Sequence, residues 1–209
     1  WLNVVTCPGS VADRLVMHDD VAMITFTGSP EVGWSIRARA PRKRVSLELG
    51  NNAPVIVEPD ADLELAATKI VAGGYGFSGQ TCISVQRVYA HRGVHDTLLD
   101  LVAAKVATLV VGDPADPATV VSALINGSET QRVVGWVDEA VAQGARLVTG
   151  GVVGDDSVLR PTVLAEVTAD MRVCSTEVFG PVVGFAAYDD VEDAFAAANA
   201  TRYGLQAAI

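Results

Sequence analysis

At 209 residues, 50% of them hydrophobic and 19% charged, the chain carries enough apolar material for one large core or two small ones, which excludes a disordered polymer. A formal net charge of −10 argues against nucleic acid or an anionic membrane as partner, and the acidity itself reads as solubility. Three widely spaced cysteines without a CxxC or His/Cys cluster argue against a disulfide framework or a metal site and fit a reducing, cytoplasmic compartment. The longest apolar stretch, 98–111, is broken by Asp100 and Lys105 and is too short to span a bilayer.

Short apolar runs alternate with helical patterns, which predicts an α/β fold with a largely parallel sheet. Strands are expected at 2–5 and 22–26, after which Ser29 offers a capping hydroxyl just before Pro30 at a first helical position. Strands at 44–49 and 54–57 flank Gly50-Asn51-Asn52-Ala53-Pro54, a turn-rich break that predicts a domain boundary between 1–49 and 50–209. A strand at 85–90 precedes 98–109, whose amphipathic period suits a helix packed on a sheet. Ser128-Glu129-Thr130-Gln131 fits a capping box for a helix that runs to Gln143 and stops at Gly144. Strands at 146–149, 162–167 and 182–188 follow, then a helix over 191–200 capped by Asp190 and the start of a strand at Leu205. Both ends fall inside apolar runs, so the chain reads as an internal fragment.

Four segments carry chemistry. In Phe26-Thr27-Gly28-Ser29-Pro30-Glu31-Val32-Gly33 a strand turns on glycine into a helix whose N-terminal N–H groups suit a phosphate. In Ser46-Leu47-Glu48-Leu49-Gly50 a carboxylate sits in an apolar strand, where the flanking leucines are expected to strip its solvation and raise its pKa toward the range of a general base. Gly76-Phe77-Ser78-Gly79-Gln80-Thr81-Cys82 places a cysteine in a glycine-containing loop, open to a substrate and able to meet an oxyanion with its own N–H. Glu177-Val178-Phe179-Gly180-Pro181 is a turn leading into a strand. Read singly, each has a plain structural explanation: an ordinary turn, an edge carboxylate facing water, a buried thiol (the reading that also suits Cys7 and Cys174), and a turn with a hydrophobic plug.

Taken together and in this order, the four segments resemble the aldehyde dehydrogenase superfamily. Its Phe-Thr-Gly-Ser turn, Leu-Glu-Leu-Gly strand, Gly-Gln-x-Cys loop and Glu-x-Phe-Gly-Pro turn stand here at Phe26–Ser29, Leu47–Gly50, Gly79–Cys82 and Glu177–Pro181. Gly112-Asp113-Pro114, Thr149-Gly150-Gly151, Arg160-Pro161-Thr162 and Tyr203-Gly204-Leu205 are further landmarks, so the resemblance covers essentially the whole chain. It implies a parallel-sheet catalytic domain joined to the last part of a Rossmann-like cofactor domain. It also implies oxidation of a small aldehyde by NAD or NADP in a homo-oligomeric enzyme. Carried over by motif, Cys82 is the nucleophile that forms a thiohemiacetal and then a thioester, and Glu48 activates the deacylating water. Gly28, Ser29, Gly33, Leu49, Glu177 and Phe179 form the cofactor set, with Ser29 at the pyrophosphate, Glu177 at the nicotinamide ribose and Phe179 against the nicotinamide.

The run Gly79 to Tyr89 looks most like the lactaldehyde and glycolaldehyde branch. Asn51 replaces the family's second glycine, which places a side chain near the active-site entrance. The family also draws on upstream residues, among them an asparagine of the oxyanion hole, so the 209 residues alone are expected to have little activity. A CoA-acylating dehydrogenase would not need Glu48, a non-catalytic module would need neither Glu48 nor Cys82, and a thiol hydrolase would want a histidine base that His18, His91 and His95 do not suggest.

Overall fold

The strands expected at 22–26 and 44–49 appear in the computed structural model, which describes residues 1–209, as β1 (Met23–Thr27) and β2 (Arg44–Glu48). They are parallel, in register from Met23↔Arg44 to Thr27↔Glu48. A parallel pair needs a crossover, supplied by α2 (Pro30–Arg39). The helix begins where the sequence indicates: the Ser29 hydroxyl accepts from Val32 N at 3.4 Å and Pro30 occupies the first turn. A cap of this kind contributes about 1 kcal/mol. Preceding β1 is α1 (Gly9–Met17), tied to its neighbours by an Asp13–Arg39 ion pair and by Lys43 donating to the Val16 carbonyl. The expected strand at 2–5 does not form: residues 1–8 are irregular and exposed, and no strand pairs with them. These elements belong to a unit covering Trp1–Gly50, distinct from a second covering Asn51–Ile209.

The second unit is built on a five-stranded sheet in the order β3 (Ala53–Val57), β4 (Val85–His91), β7 (Val182–Tyr188), β6 (Thr162–Ala165), β5 (Arg146–Thr149). All neighbours are parallel except the β5 edge, which runs antiparallel to β6. Helices cover both faces, so the central strands are apolar on both sides rather than alternating. On one face α3 (Leu63–Tyr75) and α4 (Arg92–Val106) bury Ile70, Tyr75, Leu98 and Val102 against Val88, Val183 and Phe185. On the other, α5 (Gly127–Ala142) and the short α6 (Arg172–Ser175) bury Val133, Val137 and Val173 against Leu164 and Val182. The last helix, α7 (Val191–Asn199), packs Ala194 near Tyr89 and Tyr188.

Helix ends depart from expectation where two caps compete. α5 is capped by Asn126, whose Oδ1 accepts from Glu129 N at 2.9 Å, while the Ser128 hydroxyl donates to the same oxygen. The capping box therefore lies inside the helix, not before it. α4 starts at Arg92 rather than at 98 because His91 Nδ1 accepts from Gly93 N. β6 ends at Ala165, since Glu166 takes a left-handed φ of 60°.

Candidate functional site

Topology brings two of the four segments, together with the turn at Asn51-Asn52, to one end of the second unit. β3, β4 and β7 are adjacent and parallel, so whatever precedes each strand arrives at the same end of the sheet. Asn51-Asn52 precedes β3, the Cys82 loop precedes β4, and the Glu177–Pro181 turn precedes β7.

The Cys82 loop begins where α3 ends. Tyr75, fully buried, donates its hydroxyl to the Thr162 carbonyl at 2.9 Å, and the Ser84 hydroxyl donates to the Gly74 carbonyl. A Cβ on Gly74 would lie 2.6 Å from Val183 Cγ2, so this glycine sets how closely α3 sits on the sheet. A 3-10 turn over Gly76–Gly79 then reverses the chain through three consecutive left-handed residues, Phe77, Ser78 and Gly79. Two of these are not glycine, and each such residue costs about 1–3 kcal/mol that the surroundings must offset. Ser78 is held on both sides: its Oγ accepts from Ser122 N at 2.8 Å and donates to the Ser122 carbonyl. Gln80 Oε1 accepts from Ile125 N. The turn's own bonds run from Gln80 N to the Phe77 carbonyl and from Ser84 N to the Thr81 carbonyl, and leave Cys82 N out. The Cys82 thiol is half-buried.

The Glu177 turn is fastened to this loop. A Cβ on Gly79 would sit 2.2 Å from the Gly180 carbonyl oxygen, a backbone-to-backbone contact that only glycine permits. Gln86, four residues after Cys82 and buried, donates Nε2 to the carbonyls of Val173 (2.9 Å) and Thr176 (2.7 Å) and accepts from Val178 N (2.9 Å). Arg132 donates Nη2 to the Val178 carbonyl at 2.7 Å while stacking on Trp136. Glu177 donates its N–H to the Tyr203 hydroxyl, and its Oε1 accepts from Asn51 N at 3.0 Å. Phe179 is left at φ 49° and is 42% exposed. Asn51 itself is buried, with its side chain turned toward the Gln206 carbonyl; its N–H, not its side chain, reaches a candidate site residue.

In the first unit, Gly28 and Ser29 are exposed at the N-terminus of the ten-residue α2. Gly28 N donates to the Glu48 carbonyl at 3.0 Å, joining the turn to the end of β2. Pro30 has no N–H and Gly33 N is spent on the Ser29 carbonyl, so an anion here would draw on the Ser29 hydroxyl and on Val32 N, whose 3.4 Å bond is long. Glu31 in the first turn opposes an anion, and a Cβ at Gly28 would lie 2.6 Å from the Phe26 ring, so this glycine makes room for Phe26. Gly33 is buried and its absent Cβ would meet Leu49 Cδ2 at 2.5 Å, so Gly33 makes room for Leu49. Glu48 is exposed. Leu47 and Leu49 project to the opposite face of the strand, as an alternating period requires, and cannot desolvate the carboxylate as expected from the sequence.

The other two thiols separate cleanly. Cys174 is buried, and burial pushes its pKa up to about 12, which makes it an inert structural thiol. Cys7, expected to be of the same kind, is exposed. No helix is long and apolar enough to cross a membrane.

Gln86, Arg87 and Arg132 were not among the candidate residues, and Tyr203 stood only within a landmark; Arg87 is a buried guanidinium that donates to the carbonyls of Asn52, Ala197 and Ala198. Arg87 fastens the end of α7 to the turn that leads into β3. The signal was present: two consecutive polar residues, Gln86 and Arg87, inside a strand buried on both faces must each find partners.

The aldehyde dehydrogenase family profile matches residues 1–209. A 3-sulfolactaldehyde dehydrogenase of Priestia megaterium is 44% identical over 209 residues, covering 100% of this chain and 44% of its own length. An NAD-dependent aldehyde dehydrogenase of Sinorhizobium meliloti superposes with a TM-score of 0.93 at 38% identity, over 98% of this chain and 42% of that one. An NADP-dependent glyceraldehyde-3-phosphate dehydrogenase of Bacillus halodurans, complexed with NADP, gives 0.93 at 39% identity, over 97% and 42%. The chain thus spans less than half the length of these relatives.

Proposed function

Because the chain belongs to the aldehyde dehydrogenase family, we propose that it supplies the nucleophile and part of the cofactor site of an NAD- or NADP-dependent enzyme that oxidises a small aldehyde to its acid. The observation that carries this reading is Cys82. Its half-buried thiol stands on a turn that Ser78, Gln80 and the Gly79–Gly180 contact hold in place, and its N–H is not used by that turn. In this reading Cys82 Sγ attacks the aldehyde carbon, and Cys82 N–H meets the oxygen as it gains charge. NAD or NADP, when bound, supplies the hydride acceptor. Glu48, exposed at the end of β2, takes a proton from the water that releases the acid and frees the thiol. Gly28, Ser29 and Leu49 receive the cofactor in the first unit, with Gly33 seating Leu49, and Glu177 and Phe179 receive it in the second. The exposed Phe179 and the fixed Glu177 carboxylate support that assignment.

The Priestia relative's name favours a lactaldehyde-type substrate. The enzyme is cytoplasmic, in keeping with three dispersed thiols, and homo-oligomeric in common with the family. Activity belongs to a polypeptide that supplies the rest of the family fold, and the 209 residues alone turn over little. The test compares the two with lactaldehyde and NAD or NADP, and repeats the longer one as Glu48→Gln. The reading requires NADH or NADPH formation by the longer polypeptide, with a rate about 10²- to 10⁴-fold lower in the variant. Full activity of the 209 residues contradicts the last part of it. A product that forms only with coenzyme A, unaffected by Glu48→Gln, contradicts the hydrolytic step.

A further inference from the structure

We propose that Gln86 is a positioning residue that locks the Glu177–Phe179 cofactor clamp to the strand that follows the nucleophile loop, so that clamp and thiol move as one body; this rests on the dehydrogenase reading above. Both Nε2 hydrogens are used, on the carbonyls of Val173 and Thr176, and Oε1 accepts from Val178 N. The pattern fixes the orientation of the amide, because the reverse placement would set an oxygen against two carbonyl oxygens. No other side chain serves as well. Leucine leaves two acceptors and one donor orphaned, an ionised glutamate is repelled by the two carbonyls, and asparagine is a methylene shorter.

The turn needs such a grip. Phe179 sits at φ 49°, a conformation a bulky residue holds only when its neighbours impose it. Its neighbour Val178 is bonded on both sides, N–H to Gln86 and carbonyl to Arg132. Gly79, three residues before Cys82, backs onto Gly180 from the other side. Cys82 therefore lies between two residues of its own segment, Gly79 and Gln86, that both hold the clamp. A change at Gln86 should reach the cofactor before it reaches the thiol.

The experiment uses the dehydrogenase-active polypeptide as wild type, Gln86→Leu and Gln86→Glu. It measures the Kd and KM for NAD or NADP, kcat, hydrogen exchange over 176–180 and over α3, and the rate of Cys82 alkylation by iodoacetamide. For Gln86→Leu, cofactor Kd and KM should rise about tenfold and exchange over 176–180 should accelerate, with α3 exchange and Cys82 alkylation within about twofold of wild type. Gln86→Glu keeps the acceptor for Val178 N and serves if the leucine variant does not fold. Its cofactor affinity should recover as pH falls, because the protonated acid returns one donor, whereas wild type shows no such recovery. Unchanged cofactor affinity in Gln86→Leu, loosening spread equally through α3, or no recovery in Gln86→Glu overturns the inference alone. A wild-type polypeptide that binds neither NAD nor NADP overturns the dehydrogenase reading and the inference with it.

Discussion

Gly79→Ala and Gly76→Ala, two one-methyl changes three residues apart in the same turn, should have opposite consequences. At Gly79, φ is 69° and the new methyl would lie 2.2 Å from the Gly180 carbonyl oxygen, 2.4 Å from its carbon and 3.0 Å from Pro181 N. Left-handed backbone costs an alanine about 1–2 kcal/mol, and overpacking against unyielding backbone adds about 1–3 kcal/mol. The sum, about 2–5 kcal/mol, is a large part of the 5–15 kcal/mol typical of a folded domain. At Gly76, φ is −53° and a methyl meets nothing within 4 Å, so alanine should be neutral or stabilising by about 0.4–1 kcal/mol through the unfolded chain. Trp136 is the one tryptophan of the second unit, so a Trp1→Phe, Trp34→Phe background isolates it for urea unfolding by fluorescence. Equal midpoints for the two variants would refute the contact between the nucleophile loop and the Glu177–Pro181 turn.

Arg87→Met should cost about 1–3 kcal/mol, since the buried Asn52 carbonyl loses its donor while the half-buried Ala197 carbonyl keeps Ala200 N; Arg87→Lys, with one nitrogen for three carbonyls, should fall between, as read from urea midpoints. Cys174 gives a pH dependence. The folded protein holds its proton more tightly than the unfolded chain, so stability is full below the ordinary thiol range and falls as pH rises from about 9 toward about 12. Burial pushes Tyr75, Tyr89 and Tyr188 upward too, and they add to the loss above pH about 10. Cys174→Ala should flatten the first part of that decline in unfolding titrations run from pH 8 to 11, and an unchanged slope would contradict the assignment.

What the sequence made legible was the part set by burial. Strands covered on both faces read as continuous apolar runs, and β3, β4 and β7 fall within a residue or two of expectation. Pro30 and Asp190 mark helix starts unaided because proline and a capping carboxylate act within one turn. The α5 start was misplaced because Asn126 and Ser128 can both cap, and only the approach of the preceding chain decides between them. The run at 2–5 has strand composition without a partner strand, and composition alone cannot supply a ladder. Within the site, motif residues could be named in advance, but their environment could not. The desolvating role given to Leu47 and Leu49 ignored their projection to the other face from Glu48. Gln86 and Arg132 grip partners 92 and 46 positions away, which no local pattern encodes.

The most direct measurement is peptide mass spectrometry of the dehydrogenase-active polypeptide quenched in acid during turnover of lactaldehyde with NAD or NADP. Alkylation alone would not decide the matter, because exposed Cys7 competes for any thiol reagent. An acyl mass on the Cys82 peptide that appears only with both aldehyde and cofactor, and that accumulates in Glu48→Gln, is the predicted result. An acyl group on Cys7 or on none of the three thiols, together with undiminished turnover in Cys82→Ser, would contradict it.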